Sequence, residues 1–299
     1  MAVLSRAQFE RTLFPGIREL IFKKFRENPL TYPQTFNVMS SDKAFEEDFS
    51  IAGAGLFVQT PENVATAEDG FAPGFHKRYT HLDYSLAIGA SRQIRRDDKS
   101  GFWKSRSEDL GFSARQTLEL MHASYIDLGN TTSIGPDGVA LFSASHPNIK
   151  GGVQSNTAAV SGTISVVAVR NAMQTFRRFK DDTGVRLINV MPEQLLVPPD
   201  IEYDALEIMR SSDRPDTPNR ATNVISGKLQ VVCNPYLVDT NNWYIFASKG
   251  QHKLKSFNRE SFDVETDEDK KTSIQYVIGR MAFSFGHSHW MGTYGNITP

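Results

Sequence analysis

Apolar residues recur every three or four positions through Leu110, Ala114, Leu118, Met121, Tyr125 and Leu128, the spacing that lines one face of an α-helix. The stripe predicts a helix from about Asp98 to Leu128, stopped by Gly129 and Asn130. Such a rod would be roughly 45 Å long at 1.5 Å per residue, far beyond the usual helix of ~11–12 residues. Leu13, Ile17, Leu20, Ile21 and Phe25 repeat the pattern near the N-terminus, with Arg18, Lys23, Lys24 and Arg26 largely off the stripe. They predict one or two helices, ended by Pro29 and Pro33. That segment either docks on its own domain or reaches a second molecule. "SGTISVVAVRNAMQTFRRFKDDTG" predicts another amphipathic helix, with Val169, Ala172, Met173, Phe176 and Phe179 inward and Gly184 at its end. "EQLLVPPDIEYDALEIMRSS" reads as a short apolar strand, a Pro-Pro stop and a helix begun near Asp200.

Elsewhere the period drops to two. Leu82, Tyr84, Leu86 and Ile88 alternate with polar or small residues, and Ile274 to Phe285 alternates as one long strand. "GKLQVVCNP" and "NNWYIFAS" predict buried strands of one sheet. "FEEDFSIAGAGLFV" is strand-like but loosened by Gly53 and Gly55. Between it and "THLDYSLAIG" lies "QTPENVATAEDGFAPGFHKRY", rich in Gly, Pro and small polar residues. So long a structureless loop is a poor element of a solitary compact domain. It makes sense as part of a two-stranded arm that packs on another molecule, with Phe71, Phe75 and Tyr79 as its apolar contacts.

Composition narrows the class. A chain of 299 residues that is 39% hydrophobic and 22% charged is globular rather than disordered. A net charge of -1 gives no general attraction to nucleic acid or anionic membranes. The single cysteine, Cys233, excludes an intrachain disulfide framework and a cysteine-based zinc site, and points to intracellular folding. The N-terminus lacks the apolar core of a signal peptide, and no window has the length to cross a bilayer.

Candidate chemistry is sparse. "DGVALFSASHPNIKGG" sets Ser143 and Ser145 beside His146. A serine nucleophile needs a base within hydrogen-bond reach, an orienting acid and an oxyanion hole. Here the G-x-S-x-G elbow is absent, and Pro147 keeps His146 extended, so that adjacent side chains point apart. The stretch reads as a polar connector; hydrolase chemistry on Ser143 or Ser145 with His146 is the remote alternative. His287, His289 and His252 could begin a metal site, but the sequence supplies no further ligands, and a strand near Trp290 is the simpler reading. "FDVETDEDKK" spaces Asp263, Glu265 and Asp267 like calcium ligands, yet Glu268 stands where that loop needs glycine. It reads as a solvated loop between strands. There is no phosphate-binding glycine loop, no dinucleotide fingerprint and no cofactor signature.

The order of elements resembles that of tailed-phage major capsid proteins, most nearly the Mu-like major head subunits with the Hong Kong 97-type fold. "DGVALFSASHPN", "LLVPPDIEYDALEIM" and "NPYLVDTNNWYIFAS" carry the resemblance, which runs from about Phe9 onward. It implies an α+β fold with an N-terminal arm (1–44) and an extended loop (45–90). A peripheral domain with a spine helix would comprise 91–155 and 270–299, and an axial domain 156–269. It also implies a non-enzymatic shell subunit that pairs with itself in pentamers and hexamers, is assembled in the bacterial cytoplasm and encloses double-stranded DNA through weak contacts. Separate scaffolding, protease and portal proteins would assist, since the arm begins at the first Met, and decoration proteins could bind outside. Inter-subunit contacts would fall on Phe14, Ile17 and Phe25 of the arm and on Phe71, Phe75, Lys77 and Tyr79 of the loop. Some relatives crosslink a loop lysine to a neighbour's asparagine; Lys77 is the only lysine in this loop, and no partner is identifiable. An encapsulin-like compartment is the alternative within the same fold.

Overall fold

The computed structural model describes residues 6–70, 72–97, 101–214, 221–269 and 271–297. A single helix α1 (Arg6–Phe25) and a short α2 (Tyr32–Thr35) lead into β1 (Asn37–Ser40), β2 (Phe45–Ile51), β3 (Pro73–Thr80) and β4 (Leu82–Ser91). Then come α3 (Arg92–Asp97), the spine α4 (Phe102–Asp127), β5 (His146–Pro147), β6 (Val153–Gln154) and α5 (Val166–Arg178). The remainder is β7 (Pro192–Val197), α6 (Glu202–Arg210), β8 (Gln230–Cys233), β9 (Trp243–Ala247), β10 (Leu254–Asp269), β11 (Ile274–His287) and β12 (Thr293–Asn296).

Two four-stranded sheets organise the chain. The first has the order β1-β10-β11-β4, with β1 parallel to β10 and the other pairs antiparallel. Its core gathers Phe262, Val264, Val277, Met281 and Phe283 against Trp103 and Leu110 of α4 and Ile21 of α1. The helices α1 and α4 cross closely at Gly111, where a methyl group would run into the Ile21 carbonyl oxygen. Only glycine lets the backbones approach so far. The spine begins just after Gly101, whose φ of +71° is the left-handed turn glycine tolerates. Its 26 residues span about 39 Å, and the first part of the predicted stretch, 98–100, lies outside the described residues.

The second sheet has the order β12-β9-β7-β8, with α6 as the crossover between parallel β7 and β8. Leu195, Val197, Trp243 and Ile245 point to one face, where α5 (Val169, Ala172, Phe176) and α6 (Ala205, Ile208, Met209) cover them. Leu196, Tyr244 and Phe246 point to the other face, onto Ala123 and Ile126 at the end of the spine. A sheet covered on both faces explains the unbroken apolar runs. Ser165 caps α5 by accepting from the Ala168 amide.

Three expectations need correction. The stretch Pro73–Thr80, read as loop, is a strand paired antiparallel with β2, so β3 rather than β4 completes the arm's hairpin; β4 pairs with β11. The acidic run Asp263–Asp269, read as a solvated loop, belongs to β10, held in register down to Asp269 opposite Ile274. Pairing with β11 overrides the low strand propensity of Asp and Glu. Finally, α5 ends at Arg178, not near Gly184: Phe179 turns to ψ 130° and Lys180 bridges Leu187.

Candidate functional site

The connector after the spine folds around one buried imidazole. A tight turn at Gly138, φ +78°, brings Asp137 back so that its Oδ1 accepts from the Val139 amide at 3.2 Å. Asp137 Oδ2 lies 2.7 Å from His146 Nδ1, and His146 Nε2 lies 3.1 Å from Asn156 Oδ1. The Asn156 amide is fixed in turn: Nδ2 donates to the Leu141 carbonyl (2.7 Å) and Thr293 Oγ1 (3.2 Å), and Oδ1 also accepts from the Ser143 amide (2.9 Å). The His146 ring is fully buried and stacks on Trp290 at 4.6 Å. Burial pushes the Asp137 carboxyl up, but the hydrogen bond and charge of His146 outweigh it, so the carboxyl is held below its ordinary range.

This arrangement has the acid and imidazole of a hydrolytic triad without its nucleophile. The nitrogen that would face a serine faces Asn156 instead. Ser143 Oγ accepts from the Ser145 amide at 3.2 Å and lies 3.5 Å from Ser145 Oγ, while Ser145 is exposed. His122 Nε2 does meet a hydroxyl, Ser256 Oγ, at 2.9 Å, but its other nitrogen bonds the Leu118 carbonyl and burial lowers its pKa to about 4. No acid orients that ring. The Asp137–His146–Asn156 network therefore clamps the connector to Trp290 and to the start of β12.

His287 and His289 part company. His287 Nδ1 meets the Tyr125 hydroxyl of the spine at 2.6 Å, and burial, reinforced by the Lys77 charge, lowers its pKa to about 3. His289 Nε2 lies 2.9 Å from Asp182 Oδ1, beyond α5. His252 Nδ1 accepts from the Leu254 amide, and burial lowers this histidine to about 4. Among the described residues no three acidic, histidine or cysteine side chains gather as a metal site, and no helix is long and apolar enough to cross a membrane.

The arm-like elements present surfaces rather than chemistry. Asp48 holds Lys255 through both carboxylate oxygens, at 2.6 and 2.7 Å, and Tyr79 through its hydroxyl, at 3.2 Å. Lys77 Nζ donates to the Ile134 carbonyl at 3.0 Å; burial lowers its pKa against the pull of Asp137. Tyr79 is buried against Phe257 of its own chain, and Phe75 is half-buried with its amide on Ser50 Oγ. Phe71 and the Phe14 side chain lie outside the described residues. Ile17 and Phe25 pack on the chain's own spine-and-sheet core. The apolar groups left open are others: Phe49, Ile51, Leu56, Phe57 and Val58, with Phe57 fully exposed. Sequence reading passed over them because glycines break up their spacing.

A second feature escaped the periodicity, since it is polar and buried. Glu119 of the spine accepts from the amides of Thr31 and Tyr32 and from the Thr31 hydroxyl, and Arg115 donates to the Pro29 carbonyl at 2.9 Å. Tyr32 stacks on His122 at 4.0 Å. The segment following α1 is thereby pinned to the spine.

The profile of the family described as phage capsid protein matches residues 77–296. No curated protein matches the sequence. Among solved structures, the capsid of bacteriophage JBD30, decorated with minor capsid protein trimers, superposes with a TM-score of 0.58 at 16% identity, covering 70% of this chain and 91% of that one. A chain of Mycobacterium phage Patience gives 0.57 at 11% identity, over 95% and 86%. The virus-like particle from Pyrococcus furiosus gives 0.55 at 10%, over 94% and 97%. With the α+β fold shared by these structures and a family match over most of its length, the chain belongs to the phage capsid protein family, as a major capsid protein of the Hong Kong 97-like fold.

Proposed function

We propose that the protein builds a closed icosahedral head from pentameric and hexameric rings of itself, assembled in the bacterial cytoplasm around double-stranded DNA. It does so without a catalytic centre. The observation that carries this reading is the extended loop: 52–70 has no helix or strand, and Leu56, Phe57 and Val58 are 63%, 108% and 70% exposed. Contiguous apolar groups left open on a single chain mark a surface for a partner, here a neighbouring subunit.

We assign 1–44 to the arm and 45–90 to the loop; of the peripheral domain at 91–155 and 270–299 and the axial domain at 156–269, the pairing of β10 with β11 moves β10 to the peripheral domain and that of β12 with β9 moves β12 to the axial one. Phe71, Phe75 and Lys77 are proposed at or near the loop's neighbour contact, with Tyr79 buried behind them as the loop's own anchor, and Phe14, Ile17 and Phe25 at the arm's. Separate scaffolding, protease and portal proteins complete assembly, and the decorated JBD30 capsid supports minor proteins outside. Replacing Leu56–Ala72, which removes the exposed apolar groups and leaves β3 intact, by a short Gly-Ser turn tests this, because shortening a surface loop changes closure entropy little. The expected product keeps its circular dichroism and melting temperature but forms no particles by electron microscopy. Normal particles from it would refute the loop's role, and an unfolded product would place the loop in the core. The likeness to the Pyrococcus virus-like particle supports a second reading, a protein-filled compartment. Purified particles containing protein cargo and no DNA would establish it.

A further inference from the structure

The two helices on the outer face of the second sheet carry opposite charge. From Gly138 to Lys180 the sequence contains no Asp or Glu. The outward side of α5 bears Arg170, Arg177 and Arg178, with Lys180 just beyond; all four residues are exposed, and none is ion-paired among the described residues. The acids that follow are already engaged: Asp181 with Arg186 and Asp182 with His289. The outward side of α6 bears Asp204 and Glu207, preceded by Asp200, also exposed and unpaired among the described residues; its one cation is Arg210.

Acids in a first turn and bases in a last turn satisfy the helix dipole, which accounts for Asp204, Arg177 and Arg178. It does not account for Arg170 in the first half of α5 or Glu207 in the second half of α6. Each face also has an apolar centre: Val167, 40% exposed, in the basic one and Tyr203, 79% exposed, in the acidic one. Both helices pack on the same core. Helix α6 contacts β8 at one edge of the sheet, and the segment leading into α5 reaches the other edge, where Thr157 bridges Gly295 in β12.

From this we infer that the basic face of α5 docks on the acidic face of α6 in the next copy of the chain, head to tail around a ring. Two different complementary faces on one subunit make a heterologous contact, which closes into a ring when the rotation permits. Complementary charge fixes the register and suppresses wrong pairings, in which like charges would meet. The inference rests on the shell reading above and names the surfaces that build its rings.

Charge reversal in the full-length chain tests it. One variant carries Arg170→Glu, Arg177→Glu and Arg178→Glu; a second carries Asp204→Lys and Glu207→Lys; a third carries all five. Circular dichroism checks each fold, and analytical ultracentrifugation with native mass spectrometry measures rings across protein concentration. Each single-face reversal should weaken ring formation by on the order of tenfold or more, and the combined chain should recover it. Wild-type affinity in either single-face variant, or no recovery in the combined chain, overturns the inference. Should a reversal unfold the chain, Arg170→Gln and Glu207→Gln replace it. Either should weaken rings, and the pair should weaken them no further than one alone, whereas additive losses would mean that the two residues do not meet. A basic-face variant that assembles normally but loses affinity for a duplex DNA fragment would reassign α5 to nucleic acid and overturn the proposal. If the wild-type chain forms neither rings nor particles at any salt concentration, the shell reading itself falls. Rings indifferent to both reversals sink this inference alone.

Discussion

The two sheets of this chain are held by different physics. The sheet β12-β9-β7-β8 is covered on both faces, and all five residues of β9 are buried. The sheet β1-β10-β11-β4 is covered chiefly on one face by α1 and α4, and leaves Leu82 and Leu86 of its edge strand more than half exposed. A doubly covered sheet is committed to its own chain. A sheet with one open face and an open edge retains surface for other molecules.

The largest contrast should appear on truncation. Phe246→Ala, in the doubly covered sheet, is expected to cost about 3–5 kcal/mol by opening a cavity between sheet and spine. Chemical denaturation should register that loss, whereas Leu86→Ala, half-exposed on the edge strand, should cost about 1 kcal/mol or less. Equal losses would remove the distinction between the sheets.

A smaller effect is expected where helices rather than sheets meet. Gly111→Ala must push α1 off the spine, at a cost of about 1–3 kcal/mol. Susceptibility of α1 to limited proteolysis should rise while the second sheet's melting is little changed.

Acid should act through the buried histidines. His122, His252 and His287 are kept neutral, with pKa values lowered to about 4, 4 and 3. The unfolded chain binds protons on them from about pH 6.5 downward and the folded chain does not, so ν_U exceeds ν_N and stability falls with pH. The penalty is absent above about 6.5, grows through the interval down to about 4 and levels off below the folded pKa. Each histidine contributes up to about 1.4 kcal/mol per pH unit there. His252→Gln should flatten the slope of unfolding free energy against pH between 6 and 4; an unchanged slope would show that His252 is charged when folded.

The smallest effect concerns the connector. Ser145→Ala removes an exposed hydroxyl that among the described residues meets only Ser143, and should leave both stability and assembly unchanged. Reaction of Ser145 with a fluorophosphonate probe would instead reveal a nucleophile.

How much of this was legible depended on whether burial is periodic. The spine, α5, α6, β7, β9 and β11 each bury a face or a run, and each shows in the spacing of Leu118 and Met121, of Val169 and Phe176, or of Val277 and Met281. The acidic half of β10 did not, because Glu265, Asp267 and Glu268 face solvent and the strand exists through pairing with β11. β3 hid within a stretch opened by Pro and Gly. At the connector the polar letters were visible but their partners were not. Asp137 and Asn156 lie nine and ten residues from His146, and only loop closure, which has no period, brings them together. Glu119 and Arg115 were invisible for the opposite reason: they occupy the buried side of the spine as polar residues.

The root and tip of the extended loop differ in stiffness, and a shell with two kinds of ring would draw on that difference. At the root, Asp48 grips Lys255 and Lys77 reaches the Ile134 carbonyl, so the hairpin leaves the body of the subunit at a set angle. Beyond Ile51 the chain has little regular structure of its own. Subunits in five-membered and six-membered rings meet their neighbours at different inclinations. A stiff stem would deliver the apolar tip to the right neighbourhood in both settings. The pliant remainder would absorb the angular mismatch, so that one sequence serves positions that are only approximately alike.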